Sequence, residues 1–288
     1  MRLIDFLLNV AGVLLWLRWR AGAIDVVGTA SPATLASTLQ RTRALRRLGA
    51  WHWQWPAAIA ALVLLRAVVY RQIGPALEWT PRVDLAVVTL AFRDQVFSSV
   101  LLYSALSFGR MLIIAYFWLL ILAMLNRKPM DKNPLLRLIR HYLGGLARWP
   151  WPLQFVSPIV LVAGLWVVLH PLLLQQGVVD RTESLGHLLE QGLMVGGGLL
   201  FSLKYLLPVL LLLYLVAGYV YVGTSPFWGL ISSIGRTLLA PFRWAPLKFS
   251  RLDLTPLVAA VLILLLLHAL PAYIWQRMSE VQSSLWPQ

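Results

Sequence analysis

Six apolar runs alternate with polar segments along the chain, and several of them reach the length of a membrane span. An α-helix needs about 20 mostly apolar residues to cross the hydrocarbon core of a bilayer. The pattern predicts an all-α, polytopic helical membrane protein with about six transmembrane spans. The first run is short and polar in places, so an interfacial helix is the alternative there. The runs cover residues 3–17, 56–70, 98–125, 158–174, 193–222 and 256–275.

Composition supports a membrane protein rather than a soluble one. Of the 288 residues, 59% are hydrophobic and only 12% are charged, whereas about 25% are charged in ordinary soluble domains. The chain has no cysteine. Disulfides, thiolate metal sites and cysteine nucleophiles are therefore excluded.

Positive charge is concentrated in three of the polar segments. Segments 18–55, 126–157 and 223–255 have net charges of +5, +5 and +3, whereas 71–97 is neutral and 176–191 is −2. Lys and Arg accumulate in the cytoplasmic loops of membrane proteins. The asymmetry therefore predicts that the three basic segments are cytoplasmic and that both termini lie outside. The position of the charge makes nucleic acid an unlikely partner.

The basic segments share an arrangement of prolines. In each, a polar residue followed by proline is typical of a helix start, and a later proline precedes the next apolar run. The first two proline separations are 24 residues and the third is 30. The pattern predicts three parallel repeats of span, basic amphipathic helix and span. Its residues are Ser31, Pro32 and Pro56; Asn133, Pro134 and Pro158; and Ser225, Pro226, Thr255 and Pro256.

The repeats divide the chain into segments. A degenerate first repeat covers 1–75, the second covers 98–176, and the third, in which the pattern is most complete, covers 192–276. Between them lie an outer segment at 76–97 and an outer loop at 177–191. A polar tail occupies 277–288.

The third repeat resembles the YggT family, also called YlmG-like. The resemblance is carried by Ser225-Pro226, by Pro241-Phe242-Arg243, and by Asp253-Leu254-Thr255-Pro256. It is weaker in the second repeat, which lacks the Asp-Leu pair, and weakest in the first. The resemblance implies an integral protein of the bacterial inner membrane or a plastid membrane, with no established enzymatic activity. Relatives of this family are linked to envelope organisation, division and the assembly of membrane complexes.

These observations favour a non-enzymatic membrane scaffold or assembly factor. The sequence contains no Walker loop, no His-Glu-x-x-His pair and no Gly-x-Ser-x-Gly elbow. The basic helices are expected to dock on the inner leaflet, through anionic lipids, or on a membrane or cytoplasmic protein partner. Topology alone is the plainer explanation of these loops. The candidate binding residues are Arg41, Arg43, Arg46, Arg47, Arg137, Arg140, Arg236 and Arg243.

A second hypothesis is a channel or transporter for small ions or anionic solutes. Charged groups at membrane depth are costly and face a cavity or a partner. A shared polar cavity is one explanation of the polar residues that lie within the apolar runs, and internal pairing with Asp5, Asp94 or Glu190 is another. A third explanation is that they snorkel to the interface. The intramembrane polar residues are Asn9, Arg66, Arg110 and Lys204.

The predicted spans also contain two histidines at equivalent positions and a run of three glycines. His170 and His268 each follow their repeat's span-opening proline by 12 residues, so they are candidate axial ligands of a haem. A hydrogen bond to a neighbouring helix is the plainer role, and no cofactor or metal is expected. The glycine run at 196–198 is expected to allow close helix packing or a kink.

Overall fold

The computed structural model of the chain describes residues 2–28, 53–74, 79–126, 133–182, 184–220, 225–242, 248–249 and 252–269. These residues are mostly helical, which confirms the predicted helical class. The chain divides into two compact units. The first contains Met1–Val83 and Thr89–Ala115, and the second contains Asp84–Val88 and Tyr116–Gln288.

The described part of the first unit is built from three long helices. They are α1 (Arg2–Gly28), α2 (Gln54–Ile73) and the first part of α3 (Phe97–Leu125). Helix α1 packs against α2. Within this unit, Gly12 of α1 permits a close approach to α3, because a Cβ there would lie 2.6 Å from Cε2 of Phe108.

The second unit holds the end of α3 and the remaining helices. Short 3₁₀ turns lie between or after these helices, at Gly144–Arg148, Gly198–Ser202 and Ala240–Phe242. The helices are α4 (Pro134–Leu143), α5 (Trp151–Gln175), α6 (Leu185–Gly197), α7 (Leu203–Tyr219), α8 (Pro226–Leu238) and α9 (Thr255–Ala269).

Within the described residues, four helical segments are long and apolar enough to cross a membrane, as expected for an integral membrane protein. They are α2, α3, α5 and the stretch Leu185–Tyr219, which joins α6 to α7. All six predicted apolar runs begin on helices. The described part of α9 is a shorter apolar helix, and α1 carries Asp5, Asn9, Arg18 and Arg20.

The spanning helices expose apolar side chains along their length. In α5, Val160, Leu161 and Val168 are each more than half exposed. A soluble monomer rarely exposes contiguous apolar surface on this scale. These side chains are suited to contact with lipid.

Two short β-hairpins among the described residues depart from the predicted all-α architecture. Strands β1 (Arg82–Asp84) and β2 (Thr89–Ala91) form the first, within the predicted outer segment. Strands β3 (Lys248–Phe249) and β4 (Leu252–Asp253) form the second and pair antiparallel. Both lie in segments too rich in polar residues and prolines to continue a spanning helix.

Pro158 does not open a helix, contrary to the prediction. Helix α5 already begins at Trp151, and Pro158 lies inside it. A proline has no N–H for the carbonyl four residues earlier. That carbonyl belongs to Gln154, and Ser157 Oγ donates to it at 3.3 Å. The hydroxyl of Ser157 thus provides a donor where the backbone lacks one, and the helix continues.

The prolines of the three repeats are consequently not structurally equivalent. Pro56 and Pro256 both lie in the first turn of their helices, α2 and α9. In the second repeat, Pro152 occupies the first turn instead. The equal spacing of Pro32–Pro56 and Pro134–Pro158 is therefore not a reliable guide to helix starts.

The two basic helices of the second unit begin where the sequence predicts. Asn133 caps α4, since its side chain accepts a hydrogen bond from Leu135 N at 3.0 Å, and Pro134 follows. Ser225 and Pro226 begin α8 in the same way, but the Ser225 side chain makes no capping hydrogen bond. The start of the first predicted basic helix, at Ser31-Pro32, lies outside the described residues.

The buried side of α4 differs from the apolar stripe that its sequence indicates. Helical spacing singles out Leu135, Ile139, Tyr142 and Leu146, yet the buried residues are Leu136, Ile139 and Leu143. The helix is apolar on both sides of this stripe, so spacing alone selects the wrong neighbour. Only Ile139 belongs to both sets.

The glycine run at 196–198 provides both close packing and an interruption, as predicted. A Cβ at Gly196 would lie 2.5 Å from the carbonyl oxygen of Ile159, and one at Gly192 would lie 3.0 Å from that of Ala163. Helices α5 and α6 therefore touch at backbone distance. A 3₁₀ turn begins at Gly198 and separates α6 from α7.

Candidate functional site

A cluster of polar side chains lies inside the first unit, around an ion pair. Arg66 of α2 places Nη2 2.7 Å from Oδ1 of Asp5 on α1. Two tyrosine hydroxyls donate to the same carboxylate, Tyr70 at 2.7 Å and Tyr103 at 3.1 Å. The carboxylate thus accepts bonds from both α2 and α3, and it ties the three helices together.

The guanidinium of Arg66 has further partners within the cluster. Its Nη1 donates to Oδ1 of Asn9 at 2.8 Å, and its Nη2 lies 3.1 Å from Oγ of Ser107. Asn9 Nδ2 donates to the same hydroxyl at 3.0 Å. The rings of Tyr70 and Tyr103 lie 5.4 and 5.1 Å from the guanidinium carbon, within the range of cation–π attraction.

The burial of this cluster makes charge compensation necessary. The side chain of Arg66 is 1% exposed and that of Asp5 is 16% exposed. A buried charge without a partner carries a large desolvation penalty, whereas a hydrogen-bonded pair offsets much of it. Of the explanations considered for Arg66, internal pairing with Asp5 is the one the structure shows. Asn9 also takes part in this internal network.

The other two intramembrane cations have different surroundings. Arg110 is exposed on α3, in the first unit. Lys204 is half-buried in the second unit, at the start of α7, and its Nζ lies 5.1 Å from the ring centroid of Tyr205. The shared polar cavity of Asn9, Arg110 and Lys204 stays a hypothesis.

In the second unit, the basic helices α4 and α8 pack together at the end of α3. Asn126, directly after α3, joins them: its carbonyl oxygen accepts from Arg140 Nη2 at 2.8 Å, and its side-chain oxygen accepts from Ser233 of α8. Asn133 Nδ2 donates to the carbonyl of Pro226 at 2.7 Å. The N-termini of both helices are therefore held together.

The cations of these two helices differ in exposure. Arg137 and Arg236 are exposed, whereas Arg140 is half-buried and bonded to Asn126. Arg140 thus has a structural contact beside any binding role. The remaining predicted binding residues lie outside the described residues: Arg41, Arg43, Arg46, Arg47 and Arg243.

The motif residues Asp253, Thr255 and Pro256 of the predicted third repeat lie in the second hairpin and at the start of α9. Thr255 and Pro256 are the first two residues of α9. Asp253 lies in β4, opposite Lys248 in the hairpin register. Leu211, Leu239, Ala259 and Ala260 form a buried apolar core between α7, the end of α8 and α9.

The two histidines considered as haem ligands differ in exposure. His170 is buried in α5 with its ring edge-on to Trp166, at a centroid distance of 6.3 Å. His268 is exposed on α9. Within the described part of the chain, no group of three or more His, Cys, Asp or Glu side chains is arranged to hold a metal ion.

Sequence reasoning missed several residues of both clusters. Tyr70, Tyr103 and Ser107 complete the surroundings of Arg66, and Asn126 joins α4 to α8. Tyr103 and Ser107 are one turn apart on α3, a spacing that places two polar groups on one helix face. That spacing was the available signal for the cluster. Asn126 ends an apolar run and gave no comparable signal.

Comparison with protein-family models, with curated proteins and with solved structures finds no match to this chain.

Proposed function

We propose that this chain is a non-enzymatic membrane scaffold or assembly factor of the YggT type. In this proposal it spans the bacterial inner membrane six times, in three parallel repeats of span, basic helix and span. The basic helices lie on the cytoplasmic side, and both termini lie outside. They dock on anionic lipids of the inner leaflet or on a protein partner, in envelope organisation, division or the biogenesis of a membrane complex.

The pairing of α4 with α8 is the observation that supports this proposal best. These helices are 10 and 13 residues long, too short for either to span a bilayer. Each is held to the other and to the end of α3 through Asn126 and Asn133. A pair of short helices that is tied together and exposes Arg137 and Arg236 is suited to present charge to a surface.

The cluster around Arg66 fits a structural role within this proposal. Its positive charge is compensated by Asp5, and four more polar side chains surround the pair. A compensated and largely buried cation is a poor attractor of anions. We therefore assign it to holding α1, α2 and α3 together rather than to transport.

A transporter for small ions or anionic solutes is the second candidate, and the interruption between α6 and α7 favours it. The 3₁₀ turn Gly198–Ser202 breaks a spanning segment, and Lys204 lies two residues after its end. Discontinuous spanning helices line the substrate sites of many transporters. In proteoliposomes, transport predicts solute flux that is lost in Lys204→Gln and Arg110→Gln. Flux that survives both substitutions would remove this candidate.

Partner binding is the direct test of the scaffold. The full chain is purified in mild detergent after cross-linking in its native membrane, and the co-purifying proteins are quantified. We expect a defined set that is lost from Arg137→Gln/Arg236→Gln and kept by Arg181→Gln, a control outside the basic helices. A set of proteins that does not differ between these variants would contradict the proposal.

The predicted orientation has a separate test, since the chain has no cysteine of its own. Single cysteines at Ser31, Arg181 and Ser283 are labelled from one side of the membrane with an impermeant maleimide. We expect Ser31→Cys to react from the cytoplasmic side only, and the other two to react from the outside only. A reaction of any one of them from the opposite side would contradict the predicted six-span topology and orientation.

A further inference from the structure

An open groove of about 750 Å³ lies between α4, the 3₁₀ turn after it and the start of α5. We propose that this groove binds the phosphate of an anionic phospholipid headgroup. The inference deepens the proposed function and rests on it in one respect, because it takes α4 to lie at the leaflet boundary. The polar residues and turn glycine that line the groove are Arg137, Arg140, His141, Gly144, Arg148 and Gln154.

The described lining of the groove is positively charged. Among the lining residues that the structure describes, three are arginines and none is Asp or Glu. The whole segment 133–154 contains no acidic residue. Arg137 and Arg148 are exposed, so their guanidinium groups are available at the surface. Arginine is the side chain best suited to phosphate, because its planar fork donates two parallel hydrogen bonds to two oxygens.

The helical geometry of α4 places its basic groups on one side. Arg137, Arg140, His141 and Gly144 follow the spacing of three and four residues that marks one helix face. This face borders the buried side formed by Leu136, Ile139 and Leu143. The cations therefore lie at the edge of the packed surface, and the body of the protein forms one wall of the groove.

The second wall is held in place by a buried polar contact. Helix α4 ends at Leu143. Gly144, whose φ of 56° is readily accessible to glycine, begins the 3₁₀ turn that continues to Arg148. Gln154 of α5 is 4% exposed, and its Nε2 donates to the carbonyl of Leu146 at 3.0 Å. This bond holds the 3₁₀ turn against α5, and Arg148 at the end of the turn lines the same groove as Arg137.

The position of the groove favours a lipid over a soluble phosphate compound. Trp149 and Trp151, at the start of the spanning helix α5, are 46% and 60% exposed. Exposed tryptophans at the end of a span mark the headgroup level. Below them, Leu153, Val156 and Val160 are exposed along α5. A phospholipid can thus place its phosphate in the groove and its acyl chains along this apolar surface.

Binding is tested with the purified full chain and defined phospholipids. The affinity for a fluorescent phosphatidylglycerol is measured in detergent, with phosphatidylcholine as the zwitterionic comparison and inorganic phosphate as the competitor. We expect saturable binding of phosphatidylglycerol and weaker binding of phosphatidylcholine. Arg137→Gln/Arg148→Gln should weaken it about 25-fold, because each cation near an anionic surface contributes about five-fold. Arg82→Gln/Arg181→Gln, at two exposed arginines outside the basic helices and with the same loss of charge, should change it less than about two-fold.

A matched pair at Gly145 tests the groove without removing an arginine. A Cβ at this position meets no atom within 4 Å, so a small side chain fits. Gly145→Asp should weaken binding as the double arginine variant does, while Gly145→Asn should leave it near that of the natural chain. This pair separates the effect of charge from that of volume.

Three results would overturn the proposal: equal binding of both lipids, equal losses in the two arginine double variants, or full displacement by inorganic phosphate. Each can occur while partner capture by α4 and α8 is retained. Lipid binding in the groove is then contradicted, and the scaffold proposal is not. If phosphatidylglycerol binds as expected and no partner depends on α4 or α8, the scaffold proposal is contradicted and lipid binding in the groove is supported.

Discussion

The two units hold their helices together by different means. In the first, a buried network around Arg66 and Asp5 connects α1, α2 and α3. In the second, α5 and α6 meet at Gly192 and Gly196, and Arg137 of α4 and Arg236 of α8 are exposed. The first unit contains a buried ion pair between helices, whereas the second presents these two arginines at its surface.

The difference follows from the surroundings of each charge. Arg66 lies on a helix apolar enough to span a membrane, where an unpaired charge is costly. Arg137 lies on a short amphipathic helix and is exposed, so solvent or lipid headgroups can stabilise it. A cation in this protein therefore has a structural role when it is buried and paired. It is a candidate for binding when it is exposed and lacks an acidic neighbour.

Removal of the Asp5 carboxylate should have the largest effect. Asp5→Ala leaves Arg66 buried without its counter-charge, and loss of one partner of a buried pair costs about 3–5 kcal/mol. We expect a strongly lowered unfolding temperature in detergent and a reduced amount of protein in the membrane. The measurement is thermal unfolding followed by helix content.

The double variant Asp5→Leu/Arg66→Met is the control for that experiment. It replaces both charges by apolar groups, which is often near neutral or stabilising. The double variant should recover much of the stability that Asp5→Ala loses. If it is no more stable than the single variant, the pair is not the reason for the loss.

Gly196 provides the corresponding test in the second unit. Gly196→Ala would place a methyl 2.5 Å from the carbonyl oxygen of Ile159, and such overpacking costs about 1–3 kcal/mol. Gly197→Ala is the matched control, because its Cβ meets no atom within 4 Å. We expect only the first to lower the unfolding temperature. Equal effects would show that helix packing is not limiting at Gly196.

Substitution of Asn133 should lower stability less, and only in the basic helices α4 and α8. Asn133→Ala removes the cap of α4 and the bond to the Pro226 carbonyl, and loss of a cap alone costs about 0.5–2 kcal/mol. Hydrogen exchange should quicken in α4 and at the start of α8. Asn133→Asp keeps an acceptor for the cap but cannot donate to the carbonyl of Pro226. It should therefore restore slow hydrogen exchange in α4 but not at the start of α8. Unchanged exchange in both variants would contradict the pairing of the two helices.

Much of the fold could be predicted from the sequence, because apolar runs of span length have few alternatives. The starts of α4 and α8 were also predictable, since a polar residue followed by proline is a local signal. Pro158 was misread because the sequence does not reveal that Ser157 supplies a donor to the carbonyl of Gln154. That contact depends on the side-chain conformation within a formed helix.

The sites were predictable only in part. Arg66 and Asp5 were both noted as polar groups within apolar runs, and one of three candidate acids proved to be the partner. Which acid pairs with Arg66 depends on how α1 packs on α2, which single helices do not encode. The groove depends likewise on Gln154, a residue that no motif singles out and whose role appears only when α5 lies beside the 3₁₀ turn.

The smallest effect on stability is expected for Arg137→Gln, and it is the sharpest comparison with Arg66. The same substitution at Arg66 leaves Asp5 without its cation and should destabilise the first unit strongly. At the exposed Arg137 it should change the free energy of unfolding by less than about 0.5 kcal/mol. Thermal unfolding of both variants in the same detergent provides the measurement. If Arg137→Gln is as destabilising as Arg66→Gln, the arginines of α4 maintain the fold, and their exposure is no argument for a binding role.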